Sequence, residues 1–293
     1  MNPTISPYAL VSAPAKRSRW LAALLLACSC AANATAPRVA PQMFGEEKAA
    51  DVVAYEMAPL AGAALPDKGL AVAIVAAAFQ AAAKDVAIDV LPAKPLAKYS
   101  LLNSEAAAMV GELRDLSEQE KATVTPEAFY VSTGAWYYYQ PAYGNGLSWS
   151  GNPAELKDLS LGTLPDEDME PYNKAGIRAA QGDLRTLLEG LRSKKIDLAG
   201  LPDLAGQYWV KSNYPEEADK LVRLTPPAWE KPWYVLFSKK HPRAGELRAA
   251  FVKGMSLIVK NGDYLALLEK YGGKQSSPAD ALDRLKRYRP AAK

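Results

Sequence analysis

The stretch Lys231-Pro232-Trp233-Tyr234-Val235-Leu236-Phe237-Ser238-Lys239-Lys240-His241-Pro242, with the residues that follow it to Gly273, decides the fold. Trp233–Phe237 is short, aromatic and β-branched, and Pro232 and Pro242 bracket it, which predicts a buried strand. Ala244–Lys260 then places Leu247, Ala250, Phe251, Met255 and Leu257-Ile258 at the spacing of an amphipathic helix. Asn261-Gly262-Asp263 stops it, and Asp263 can cap a second helix bearing Tyr264, Leu265, Leu267 and Leu268. Tyr271-Gly272-Gly273 ends that helix as a left-handed C-cap would.

Working outward, Ala135-Trp136-Tyr137-Tyr138-Tyr139-Gln140-Pro141 repeats the aromatic pattern of the Trp233 strand. Before it, Val52–Tyr55 reads as a strand, Leu70–Ala83 as a helix, Val86–Leu91 as a strand, Pro95–Ala106 as a helix and Ala107–Val110 as a strand. This alternation calls for a parallel sheet with helices on both faces. Between the two aromatic strands lies a second set: a strand at Ser160–Leu164, a helix at Asp166–Lys174, a strand at Gly176–Ala179, an amphipathic helix at Asp183–Ser193 and a strand ending at Gly200. Leu221–Leu224 is the last strand of that set. The fold class expected is α/β, with two Rossmann-like lobes. Lobe one takes residues 48–134 and 236–273, and lobe two takes 137–233. Each lobe should have its own sheet, and the paired crossings near Ala135–Tyr137 and Trp233–Leu236 should form the hinge. The tail 274–293 carries Leu282, Leu285 and Tyr288 at helical spacing and should pack on a lobe.

This order resembles the periplasmic solute-binding proteins of extracellular solute-binding family 3, which have the type II periplasmic binding protein fold. The resemblance rests on Tyr234–Pro242, Asn261-Gly262-Asp263-Tyr264 and Tyr271-Gly272 at the end of lobe one. It also rests on Leu156-Lys157-Asp158-Leu159 with Leu161–Leu164, and on Lys194-Lys195-Ile196-Asp197-Leu198-Ala199-Gly200 in lobe two. It implies a protein that binds a small polar solute between two lobes, as a monomer, and passes it to an ABC permease or a sensor. An enzyme on the same scaffold, a dehydratase resembling cyclohexadienyl dehydratase, is the alternative.

Residues 1–34 read as a targeting segment outside the fold. Lys16, Arg17 and Arg19 precede the short apolar core Leu21–Ala27, and Ala32-Asn33-Ala34 offers a small-x-small cleavage site. The core is too short to span a bilayer, which takes about 20 residues. A periplasmic location follows, with Leu25-Leu26-Ala27-Cys28 as an alternative lipidation site. Without Lys16, Arg17 and Arg19, the chain's 35 basic residues fall level with its 32 acidic ones, so the net charge of +3 gives no warrant for nucleic-acid binding. Both cysteines, Cys28 and Cys30, lie in that segment, and His241 is the single histidine. This composition excludes a disulfide framework, a thiolate nucleophile and Cys/His metal motifs in the mature chain. No cofactor is called for, and His241 reads as a solvated turn residue.

Polar ligands bind beyond the carboxyl ends of parallel strands, where loop amides and helix N-termini converge. By that geometry the candidates are Tyr55, Glu56 and Met57 after the first strand, and Glu112 and Arg114 after the third. In lobe two they are Thr163, Asp166 and Asp203. Trp136 either lines the cleft or fills a strand buried on both faces. The resemblance adds Gln119, or Glu120 if the alignment slips by one, where amino-acid binders carry an arginine that forks onto the ligand carboxylate. Met57 stands where a stacking aromatic is common, and Ala71 where an aspartate is. The resemblance therefore implies a solute other than a simple α-amino acid held by an arginine clamp. Tyr55, Trp136, Tyr138 and Tyr208 are the rings on offer for stacking. For the enzyme alternative, Glu56, Glu112 and Arg114 are the groups that could be recruited.

Overall fold

The computed structural model describes residues 50–165, 167, 169–272 and 278–289. The targeting segment, Asp166 and the C-cap at Gly273 lie outside the described residues. Strands β1 (Val52–Tyr55), β2 (Ile88–Leu91) and β3 (Ala108–Gly111) alternate with helices α1 (Leu70–Ala81) and α2 (Lys94–Leu102), giving the parallel unit expected of lobe one. The short α3 (Glu118–Lys121) leads into β4 (Val124–Tyr139). In lobe two come β5 (Leu161–Thr163), α4 (Glu170–Lys174), β6 (Ala179–Gln181), α5 (Leu184–Arg192), β7 (Leu198–Pro202), α6 (Asp203–Asn213) and β8 (Leu221–Arg223). The chain returns on β9 (Trp229–Ser238) and ends in α7 (Ala244–Asn261), α8 (Asp263–Gly272) and α9 (Pro278–Tyr288).

Three expectations are corrected here. The lobes do not carry separate sheets: one hydrogen-bonded ladder runs β2-β1-β3-β9-β4-β7-β5-β6, with β8 on β4. The crossing is also longer than the aromatic runs suggest. At about 3.3 Å per residue, the 16 residues of β4 reach through both lobes. β9 pairs with β4 from Ser238 opposite Val124 to Trp229 opposite Gly134, across a bulge between Ala128 and Tyr130. Pro232 and Pro126 lie inside these strands. β3 pairs only Tyr234–Phe237 of β9, and β7 pairs only Gly134–Tyr137 of β4, so each proline has one unpaired side where a missing N–H is tolerated. The sixth strand also falls later than expected, at Ala179–Gln181, and the helix before it begins at Glu170.

Period-2 alternation builds the cores. In β1, Val52 and Ala54 face one cluster with α1, α7 and α8, while Val53 and Tyr55 face a second with α2. Phe251 centres the first cluster, with ring centroids 5.5 Å from Phe79, 6.5 Å from Phe129 and 5.8 Å from Phe237. In β4, Trp136 and Tyr138 enter one lobe-two cluster, and Ala135 and Tyr137 enter the other. The adjacent aromatics of β4 thus serve a strand with both faces buried. Gly262 ends α7 in the left-handed region (φ 91°), where only glycine is unstrained. Asp263 opens α8, and its N–H donates to Asn261 Oδ1 at 3.0 Å. The tail helix α9 buries Leu285 in the core of lobe one and packs Leu282 against it.

Candidate functional site

In lobe one, β1 and β3 end side by side, and the turn Leu113–Asp115 folds back on them. Asp115 Oδ2 accepts from Glu112 N (3.0 Å) and from the Tyr55 hydroxyl (3.1 Å), and its Oδ1 accepts from Lys94 Nζ (2.7 Å). Burial, and then the Asp115 carboxylate, push the Tyr55 hydroxyl far above the ordinary tyrosine range. Arg114 grips Glu112 through Nε to Oε2 (2.6 Å) and Nη2 to Oε1 (3.1 Å). Burial works against the charged guanidinium. The hydrogen bond and charge of Glu112, with the charges of Glu167 and Asp115, outweigh it and raise the Arg114 pKa.

Glu167 belongs to the loop after β5, so its field on Arg114 brings the two lobes together electrically. Glu167 is itself paired: Lys231 Nζ on β9 lies 2.5 Å from its Oε2, and the side chains are 16% and 6% exposed respectively. Two residues along β9, the partly exposed Trp229 stands opposite Gly134. A Cβ on Gly134 would lie 2.0 Å from Trp229 Cε2, and one on Gly200 would lie 3.0 Å from its Cη2. The indole therefore lies across the backbones of β4 and β7, where only glycine leaves room. Trp136 meets it edge-on, with centroids 6.1 Å apart and planes at 84°. Thr163, opposite Gly200 in the β5–β7 register, is fully buried, and its Oγ1 has no hydrogen-bond partner among the described residues.

Asp203 starts α6, and its carboxylate is taken up by side chains of β4 and β8. It accepts from Thr133 Oγ1 (2.5 Å), Tyr137 Oη (2.7 Å), Arg223 Nε (2.7 Å) and Arg223 Nη2 (2.8 Å). The hydrogen bond to Asp203 leads the causes that raise the Arg223 pKa, against the opposing effect of burial. Beside this cluster a cavity of about 290 Å³ opens between α6 and β8, walled by Tyr137, Arg223, Gln207 and Lys211.

The structure thus joins Tyr55, Glu112 and Arg114, and sets Thr163 near a different group. Glu56 is exposed and accepts from Ala63 N (2.8 Å), apart from the Glu112–Arg114 pair. Met57 is half-buried between the two lobe-one clusters, and Gln119 is exposed on α3. Trp136 is fully buried and donates to Tyr172 Oη (3.2 Å), so it is core and not a cleft wall. Tyr138 is likewise buried, while Tyr208 is half-exposed on α6. Asp166 lies outside the described residues. His241 is half-buried and accepts from Arg243 N (3.2 Å) at the start of α7. Trp229, Lys231 and Glu167 are the residues that sequence reasoning missed. The signal available was Gly134 and Gly200, since isolated glycines inside strands mark a close approach. Among the described residues, no group of His, Cys, Asp and Glu could hold a metal ion.

No protein-family model matches the chain, and no curated protein matches it in sequence. Solved structures do. The arginine-, lysine-, histidine-binding protein ArtJ from Geobacillus stearothermophilus is 19% identical, with a TM-score of 0.52 over 81% of this chain and 99% of that one. The L-cystine solute receptor of Neisseria gonorrhoeae, in its unliganded open conformation, is 16% identical, with a TM-score of 0.57 over 76% and 92%. A histidine kinase sensor domain with similarity to periplasmic binding proteins is also 16% identical, with a TM-score of 0.52 over 76% and 96%. At such identities the likeness defines the fold: two α/β lobes of the type II periplasmic binding protein kind, joined by two strands.

Proposed function

We propose that this chain is an exported solute-binding protein that closes its lobes on a small polar solute and presents it to an ABC-type permease or a sensor. The observation that carries the reading is the hinge. Two long strands, β4 and β9, are shared by both lobes, and Arg114 of lobe one feels the charge of Glu167 of lobe two. Lobes joined in this way close by bending at a few residues. We assign residues 48–134 and 236–273 to lobe one and 137–233 to lobe two. Residues 1–34 are the export signal and are cleaved, and the mature protein acts as a monomer in the periplasm. The solute is not an α-amino acid held by the usual fork: Gln119 stands in place of the arginine, and the Asp203 carboxylate already accepts four hydrogen bonds.

A thermal-shift screen of small solutes tests this, because a ligand at about 100 times its Kd stabilises by about 2.7 kcal/mol. The expected result is stabilisation by one chemical class, with the gain reduced in Arg114→Ala. A library that leaves the melting temperature unmoved, or a hit indifferent to Arg114→Ala, contradicts the reading.

A further inference from the structure

We propose that Trp229 is the platform on which the solute stacks, and that the ligand class is therefore a neutral planar heterocycle. The inference rests on the reading of the cleft given above and adds what the cleft selects. The Trp229 ring lies on bare backbone: a Cβ on Gly134 would come within 2.0 Å of Cε2 and 2.3 Å of Cζ2 and Nε1, and one on Gly200 within 3.0 Å of Cη2. Trp136 fixes its tilt from the side, edge-on at 6.1 Å. One face of the indole is thus spent on the sheet, and Trp229 as a residue is partly exposed, whereas Trp136 is fully buried. A large ring held in place by its neighbours, on a residue partly open to solvent, offers offset stacking to another flat ring.

Next to Gly200 in the ladder, Thr163 Oγ1 is buried without a hydrogen-bond partner among the described residues, a rare condition in a native interior. The hydroxyl lies one strand away from the backbone that Trp229 covers, and it can donate to or accept from a polar solute edge that reaches it as the lobes move. The cations near the site face carboxylates of their own, Arg114 on Glu112 and Lys231 on Glu167. Charge is balanced within these pairs, so Arg114 and Lys231 offer a solute hydrogen bonds but no net charge, and a neutral solute fits.

Calorimetry with the mature protein tests this, using uracil, adenine and nicotinamide as planar probes, glucose as a flat-faced non-aromatic ring, and L-arginine and L-cystine as amino acids. We expect at least one planar probe to bind. Trp229→Ala should weaken it about tenfold or more, the scale of losing one stacked ring, and Trp229→Phe by no more than about threefold. Gly134→Ala should act like Trp229→Ala, because its Cβ displaces the indole. In protein labelled with 5-fluorotryptophan, the resonance that Trp229→Phe removes should shift on adding the probe, which reports on the ring even if an alanine variant folds poorly. A planar probe whose affinity and 19F spectrum ignore Trp229 overturns the inference, as does binding by none of the probes. Binding by glucose or the amino acids alone overturns it too, while leaving solute binding itself intact.

Discussion

Replacing Asp203 with alanine should cost the protein stability. Asp203 is 7% exposed and is the common acceptor for Thr133, Tyr137 and both donor edges of Arg223. Removing it strands a guanidinium and two hydroxyls at the junction of β4, β7 and α6. Breaking a buried ion pair from one side costs about 3–5 kcal/mol. The Arg223 side chain is 20% exposed and keeps some hydration, which favours the low end, about 3 kcal/mol. For a chain of this size that corresponds to a fall in Tm of roughly 6–12 °C. Removing both charges, as Asp203→Leu with Arg223→Met, should recover most of the loss, because an apolar replacement leaves no unpaired charge. Urea unfolding of the wild type, both single variants and the double variant gives the coupling directly. Asp203→Ala with stability changed by less than about 1 kcal/mol, but solute affinity lost, would refute the reasoning: the carboxylate would then face the solute and not Thr133, Tyr137 and Arg223.

Other outcomes follow from packing and titration. Leu285→Ala on α9 opens a hole in the lobe-one core, where Leu285 is 3% exposed, and should cost about 3 kcal/mol in urea unfolding; a cost below 1 kcal/mol would place the tail outside the core. Burial first, and then Asp197 and Asp67 respectively, push the hydroxyls of Tyr143 and Tyr271 up to about 12. A raised folded-state pKa means stability that is complete below the unfolded value near 10 and is lost as pH climbs toward 12. Absorbance of tyrosinate should therefore lag behind that of the urea-unfolded chain between pH 10 and 12, and coincident curves would contradict these contacts.

Much of the fold was legible because its signals are local. Val52–Tyr55 alternates between two cores in the way its apolar run announces, and α5 and α7 follow their apolar stripes. The lengths of β4 and β9 were not legible. Pro232 read as the edge of a strand, and only the sheet reveals that it, like Pro126, lies inside one with an unpaired side. The candidate site divided in the same way. Glu112 and Arg114 were singled out because ligands bind at strand ends in a parallel sheet, and the structure pairs the two there. Trp136 could not be told from a cleft residue, since a strand buried on both faces has no polar period to betray its orientation. Asp203 was legible as a position, but its partner Arg223 lies 20 residues away on β8. Trp229 and Lys231 fell in a segment read as preceding a strand.

Hinge closure is the central claim, and a distance between the lobes tests it most directly. The sequence has only Cys28 and Cys30, both in the segment assigned to cleavage, so spin labels can be placed cleanly in the mature chain at Tyr99→Cys on α2 and Ser212→Cys on α6, both exposed. Double electron–electron resonance should show the interlobe distance distribution shifting and narrowing when the solute that most stabilises the protein is added. A distribution that stays in place while the solute is bound would contradict the account.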